Sequence, residues 1–139
     1  MPDAVRLLDY FYAEASDKPG EGARVLTTLQ DAGVNLVVFH AFPAGRRAQL
    51  DFVPSDPAAF KAAAKRARLR VVGPKKAFVI DGDDRVGALV TYFEKLGAAQ
   101  INVTAASALA AGAGRYGAIL WVKPRDVRRA AKVLGVGQA

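Results

Sequence analysis

Residues 17–36 read DKPGEGARVLTTLQDAGVNL. A proline-glycine turn opens the stretch, an amphipathic segment follows, and a glycine and an asparagine precede the next apolar run. Pro19 suits the first position of a helix, where its missing N–H would be unpaired in any case. Lys18, placed before a proline, is pushed out of helical geometry, so the helix cannot begin earlier. Glu21 falls in the first turn, beside the positive end of the helix dipole. Val25, Leu26, Leu29 and Ala32 recur at helical spacing, and Gly33 is a natural stop. The stretch therefore predicts a helix with open backbone and charge at one end and an amide just past the other.

Working outward, Asp9 to Ala15 has strand character through Tyr10, Phe11 and Tyr12,. Val34 to Phe42 predicts a second strand, and Pro43, Ala44 and Gly45 a turn. Ala48, Leu50 and Phe52 alternate with Gln49 and Asp51 as a third strand,. Asp56-Pro57 opens another helix with Phe60, Ala63, Ala64 and Ala67 inward. Leu69 to Val72 closes the set. The order β-α-β-β-α-β is the ferredoxin-like arrangement, in the α+β class.

The same order then recurs. Ala77 to Ile80 predicts a strand. Arg85 to Leu96 predicts a helix with Val86, Leu89, Val90, Phe93 and Leu96 as its stripe and Gly97 as its stop. Ile101 to Leu109 and Tyr116 to Val122 predict strands, and Pro124 opens a helix carrying Val127, Ala130, Ala131 and Leu134. Gly135 to Ala139 makes a poor fourth strand. Asp17, Lys18, Gly20, Leu29 and Asn35, each moved by 67 residues, fall on Asp84, Arg85, Gly87, Leu96 and Asn102. Two matches in register signal duplication. The expected modules span residues 5–74 and 75–139, with the last strand of the second short or absent.

The bulk numbers restrict the function. The chain has 139 residues and 52% of them are apolar, so a packed core is feasible,. No apolar run is long enough to cross a membrane. Acidic residues near the start stand where a signal peptide needs an apolar stretch. Cysteine is absent, which removes disulfides and thiolate metal sites,. A soluble, cytoplasmic protein is expected. The net charge of +7 favours acidic partners or plain solubility,. Seven bases and no acid lie between Lys61 and Lys76, and a solvated helix face explains them,.

No catalytic constellation stands out. His40, the single histidine, lies in a strand, without a cysteine or a Gly-x-Ser-x-Gly elbow,. Asp81, Asp83 and Asp84 lack the later ligands of a calcium loop. No phosphate loop is present. Neither a metal nor a cofactor is expected, and the chain is not read as an enzyme.

The repeated turn has two readings. A helix N-terminus offers unpaired N–H groups and partial positive charge to a carboxylate or phosphate. Gly20 and Gly22 have no side chain to block approach. Gly22 costs its helix roughly 1 kcal/mol relative to alanine, so a ligand backbone or tight packing should favour it. Asn35 adds donors and an acceptor at a strand start. Alternatively, Asp-Lys-Pro-Gly is only a good helix start, and Asn35 only ties down the turn after Gly33.

The stretch resembles the first half of an ACT domain, a small ligand-binding module of amino-acid metabolism. The resemblance rests on Asp17, Lys18, Pro19, Gly20, Gly33, Val34, Asn35 and Leu36. The second copy, DRVGALVTYFEKLGAAQINV, keeps Asp84, Arg85, Gly87, Ile101, Asn102 and Val103, but has Val86 for the proline and Gln100 for the glycine. The resemblance implies a regulatory protein that binds a free amino acid or related small effector between paired modules. By position, Asp17 to Gly22 would meet Ile101 to Thr104, and Arg85 to Gly87 would meet Val34 to Val37. It also implies a homodimer; no membrane partner is expected from the apolar runs, and nucleic acid ranks behind a small effector as a partner. Two alternatives remain. RNA-recognition modules share the strand order and need exposed aromatic rings such as Phe78 and Tyr116 for stacking. An interaction module with a decayed ligand site is the other.

Overall fold

The computed structural model describes residues 3–136. Its elements are β1 (Ala4–Ser16), α1 (Glu21–Asp31), β2 (Leu36–Ala44), β3 (Arg47–Pro54), α2 (Pro57–Arg66), β4 (Val72–Asp83), α3 (Val90–Ala98), β5 (Val103–Gly112), β6 (Arg115–Val122) and α4 (Val127–Leu134), the last preceded by a 3-10 turn at Pro124–Asp126. The fold is α+β, with antiparallel strand pairs. The chain divides into two compact units. One is residues 9–75; the other joins 76–136 to residues 3–8.

In the unit of residues 9–75 the strand order is β2-β3-β1-β4. Phe11 stands opposite Phe52, and Ala13 opposite Leu50. Period-two alternation puts these four on one sheet face, where α1 supplies Val25 and Leu29 and α2 supplies Phe60, Ala63 and Ala64,. The spacing of Val25 and Leu29 aligns them on one side of the helix. Helix α2 starts as the sequence suggests: the Asp56 side chain accepts from the Ala59 N–H at 3.1 Å, and Pro57 is the first helical residue,. Helix α1 departs from expectation. It begins at Glu21, because Gly20 takes φ 87° as the cap, a geometry only glycine adopts without strain. Pro19 therefore belongs to the preceding turn.

In the other unit the order is β1-β4-β6-β5. The fourth strand expected to be short or absent is the start of β1: residues 4–8 belong here, with Val5 and Leu7 turned to the core. This segment, expected in the first module from residue 5, groups with residues 76–136, and Val5 and Leu7 are half-buried there. The core gathers Phe78, Ile80 and Leu120 from the strands, Tyr92 and Leu96 from α3, and Ala130 and Leu134 from α4. The sequence placed the start of α3 at Arg85. It starts at Val90, because Gly87 takes φ 72° and an open turn occupies residues 86–89. The helix therefore faces inward with Tyr92 and Leu96, while Val86, Val90 and Phe93 are exposed. Gly97 lies within α3 and does not end it. Residues 137–139, part of the proposed last strand, lie outside the described residues.

The 67-residue offset extends to the backbone. Left-handed residues recur as Gly20 and Gly87, Gly33 and Gln100, Gly45 and Gly112, Arg68 and Gly135. Hydrogen bonds recur too: Val34 N–H donates to the Leu29 carbonyl as Ile101 does to Leu96, both at 2.9 Å. Phe60 shows how tightly the first core is packed. It is fully buried, with its ring 4.8 Å from Phe11 and 5.2 Å from Phe52. Phe60→Ala should cost about 3–5 kcal/mol, read as a lower urea midpoint with little change in slope.

Candidate ligand-binding site

The turn of the first copy is open. Asp17, Lys18, Pro19 and Gly20 are exposed, and no atom lies within 4 Å of where a Cβ would stand on Gly20 or Gly22. Packing among the described residues therefore does not account for Gly22, one of the two explanations the sequence left open. The carbonyl of Asn35 accepts from Ser55 N–H at 3.0 Å and Ser55 Oγ at 3.2 Å. Its backbone thus ties β2 to the end of β3, while its side chain is exposed. Val34 and Leu36 are half-buried against the core. Eleven helical residues separate Gly20 from Asn35, about 17 Å at the α-helical rise. One small ligand cannot touch both within a single unit.

The second copy differs. Arg85 and Gly87 sit in the open turn before α3, and a groove of about 370 Å³ adjoins it, lined by Gly87, Leu89 and Val90 on one side and Ala108, Leu109 and Ala110 on the other. Asn102 is exposed, and Val103 packs partly against the core. Ile101, expected to border a ligand, is a core residue with 4% exposure. Its burial follows from the left-handed Gln100, which turns the chain inward after α3.

Arg85 already holds a carboxylate. Its guanidinium donates to both oxygens of Asp3, at 3.2 and 3.1 Å. The hydroxyls of Tyr92 and Tyr116 donate to the same carboxylate. Hydrogen bonding by the Arg85 guanidinium, reinforced by the two tyrosines and opposed by burial, holds the Asp3 carboxyl down at about 2. Burial, with the Asp3 hydrogen bonds, pushes the Tyr92 and Tyr116 hydroxyls up. Sequence reading missed this cluster: its members are up to 113 positions apart and belong to no local motif.

Phe78 and Tyr116 are buried in the helix-covered core, so neither offers a ring for stacking RNA bases. Asp81 and Asp83 each face the Arg115 guanidinium at 2.8 Å. His40 Nδ1 lies 3.3 Å from Asp51 Oδ2, and its ring centre is 5.2 Å from that of Phe42. Among the described residues, no group of three or more acidic or histidine side chains could hold a metal, and no helix is long and apolar enough to cross a membrane.

No family model matches the sequence, and no curated protein gives a significant match. Solved structures do match. Protein BT0572 from Bacteroides thetaiotaomicron superposes with a TM-score of 0.80 at 18% identity, covering 94% of this chain and 88% of that one. The regulatory subunit of aspartate kinase from Thermus thermophilus gives 0.64 at 14% identity, covering 97% and 96%. The fold is shared with aspartate kinase regulatory subunits. Aspartokinase III of E. coli, solved with aspartate and ADP, gives 0.54 at 13% identity over 95% of this chain and 32% of that one. At these identities the likeness is one of fold.

The Asp3 cluster makes stability depend on acid. Its folded carboxyl titrates near 2, below the ordinary 3.8, so its stabilisation is complete above that ordinary value and is lost as pH falls toward 2. The full effect is about 2 kcal/mol. Asp3→Asn should lower the urea midpoint at pH 6, and the gap from the parent should shrink by pH 2.5. An equal gap at both pH values would contradict the assignment.

Proposed function

We propose that the chain is a non-catalytic regulatory protein of two tandem ACT-like modules that binds a free amino acid or a related small effector. The effector would sit at a seam between paired modules, where the turn of one meets the asparagine-bearing strand of another. Asp17, Lys18, Pro19, Gly20 and Gly22 would approach the ligand from the turn, and Asn102 and Val103 from the strand. The reciprocal set is Arg85 and Gly87 with Val34, Asn35 and Leu36. The observation that carries this reading is the open space over Gly20 and Gly22 at the start of α1. The start of a helix offers N–H groups and a positive dipole end that suit a carboxylate. The distance from Gly20 to Asn35 supports a seam, because the two ends of one helix cannot close on a single small molecule.

Pairing into a homodimer draws support from a different feature. Strand β5 ends the order β1-β4-β6-β5, and Thr104 to Gly112 are exposed and carry no charged side chain. Natural edge strands are commonly protected by lysine, proline or a covering element. A two-fold antiparallel pairing of β5 with its copy would satisfy this edge without like-charge repulsion. This observation also favours a second reading, an interaction module whose ligand site has decayed.

A thermal-shift series with the twenty amino acids separates the two. A true effector at a hundred times its dissociation constant adds about 2.7 kcal/mol, and Asn35→Ala or Asn102→Ala should weaken it while leaving the ligand-free melting temperature nearly unchanged. No response to any amino acid would remove the ligand reading and leave pairing. Ser107→Lys, at the middle of β5, should convert a dimer to a monomer by sedimentation; a dimer unaffected by it would exclude β5 as the interface.

A further inference from the structure

The cluster around Asp3 has the composition of a receptor. A forked guanidinium and two phenols, from the turn before α3, from α3 and from β6, all donate, and the Asp3 carboxylate is their shared acceptor. The Asp3 side chain is only 8% exposed. Bidentate pairing of this type selects carboxylate by geometry as well as charge.

Two independent features show that the space is shaped for that group. Gly82 does not have a left-handed backbone, yet a Cβ there would stand 1.8 Å from Asp3 Oδ1 and 3.1 Å from the Tyr116 ring. Its glycine leaves room for a carboxylate. Two of the three donors, Tyr92 and Tyr116, also fall outside the duplicated framework, whereas Arg85 belongs to it. At the 67-residue offset, Tyr92 corresponds to Val25 and Gly82 to Ala15, and Lys18 replaces Arg85. The cradle is thus an addition to one unit. Beside it lies an open groove of about 480 Å³ that Val5, Asp83, Lys95 and Leu134 also line, Asp83 being paired with Arg115, room for a small organic anion.

We propose that Arg85, Tyr92 and Tyr116 form a binding site for small carboxylate anions, which the chain holds shut with its own Asp3 as a tethered competitor. A free carboxylate reaches the cradle only in the minor state in which residues 3–8 have left β4, and its apparent affinity is reduced by the rarity of that state. A tethered group acts at an effective concentration in the millimolar range or above, so removing it should expose the site.

The test is Asp3→Ala with acetate and formate as probes, at constant ionic strength with chloride as control. The variant should melt below the parent. Either carboxylate should restore its melting temperature along a saturable curve, with chloride inactive and the parent at least tenfold less responsive. The Asp3→Ala/Arg85→Ala pair should not be rescued. Loss of stability without carboxylate rescue, or equal rescue by chloride or in the double variant, would overturn the site. Should Asp3→Ala fail to fold, Asp3→Ser leaves the same space in a more soluble chain, and the same outcomes decide. Arg85 is shared with the proposed set opposite Asn35, but Gly20 and Asn102 are untouched here, so failure of this site leaves the amino-acid reading at Gly20 to the thermal-shift series.

Discussion

Each unit depends on burying one apolar sheet face beneath two short helices. A helix of eleven residues or fewer is marginal alone in water, so α1 to α4 persist through that contact. The requirement explains why left-handed residues bracket the first helix of each copy: Gly20 and Gly33 in one, Gly87 and Gln100 in the other. They let the chain leave a strand, cross the sheet and return within about twenty residues. The same bends leave the turn before each helix open to solvent and place the asparagine at the far end. Geometry imposed by the core thus puts Gly20 and Asn35 at opposite ends of α1.

The two copies have used this plan differently. In the first, the turn is exposed and its glycines border empty space. In the second, the equivalent cation already holds Asp3, and α3 starts later. The two halves share the backbone angles and the hydrogen bonds that end their first helices. The side chains over the turn were free to diverge because they contribute little to the core.

Much of this was legible in the residues. The alternation of Phe11 and Ala13, the Val25 and Leu29 stripe, and the Asp56-Pro57 cap each specify local geometry, and the repeat at 67 residues organised them. What escaped reading was non-local. The span of α3 was misjudged because Val86, Val90 and Phe93 have helical spacing, whereas Gly87 delays the helix and the core takes Tyr92 instead. Ile101 reads as a site residue by motif and is a core residue by contact. The missing strand of the second half lay at the other end of the chain, in Val5 and Leu7. Nothing near Asp3 in the sequence reveals the arginine and two tyrosines that surround it.

That last separation bears on how the protein is made. The unit of residues 9–75 is contiguous and can close as soon as it has left the ribosome. The other unit joins residues 3–8 to partners made later, Tyr116 lying 113 positions after Asp3. Val5 and Leu7 therefore lack their core until those partners are made, the kind of transient apolar exposure that favours misassembly. Completing that unit closes a long loop, a slow, non-local step, and the carboxylate of Asp3 is the polar anchor that marks its completion.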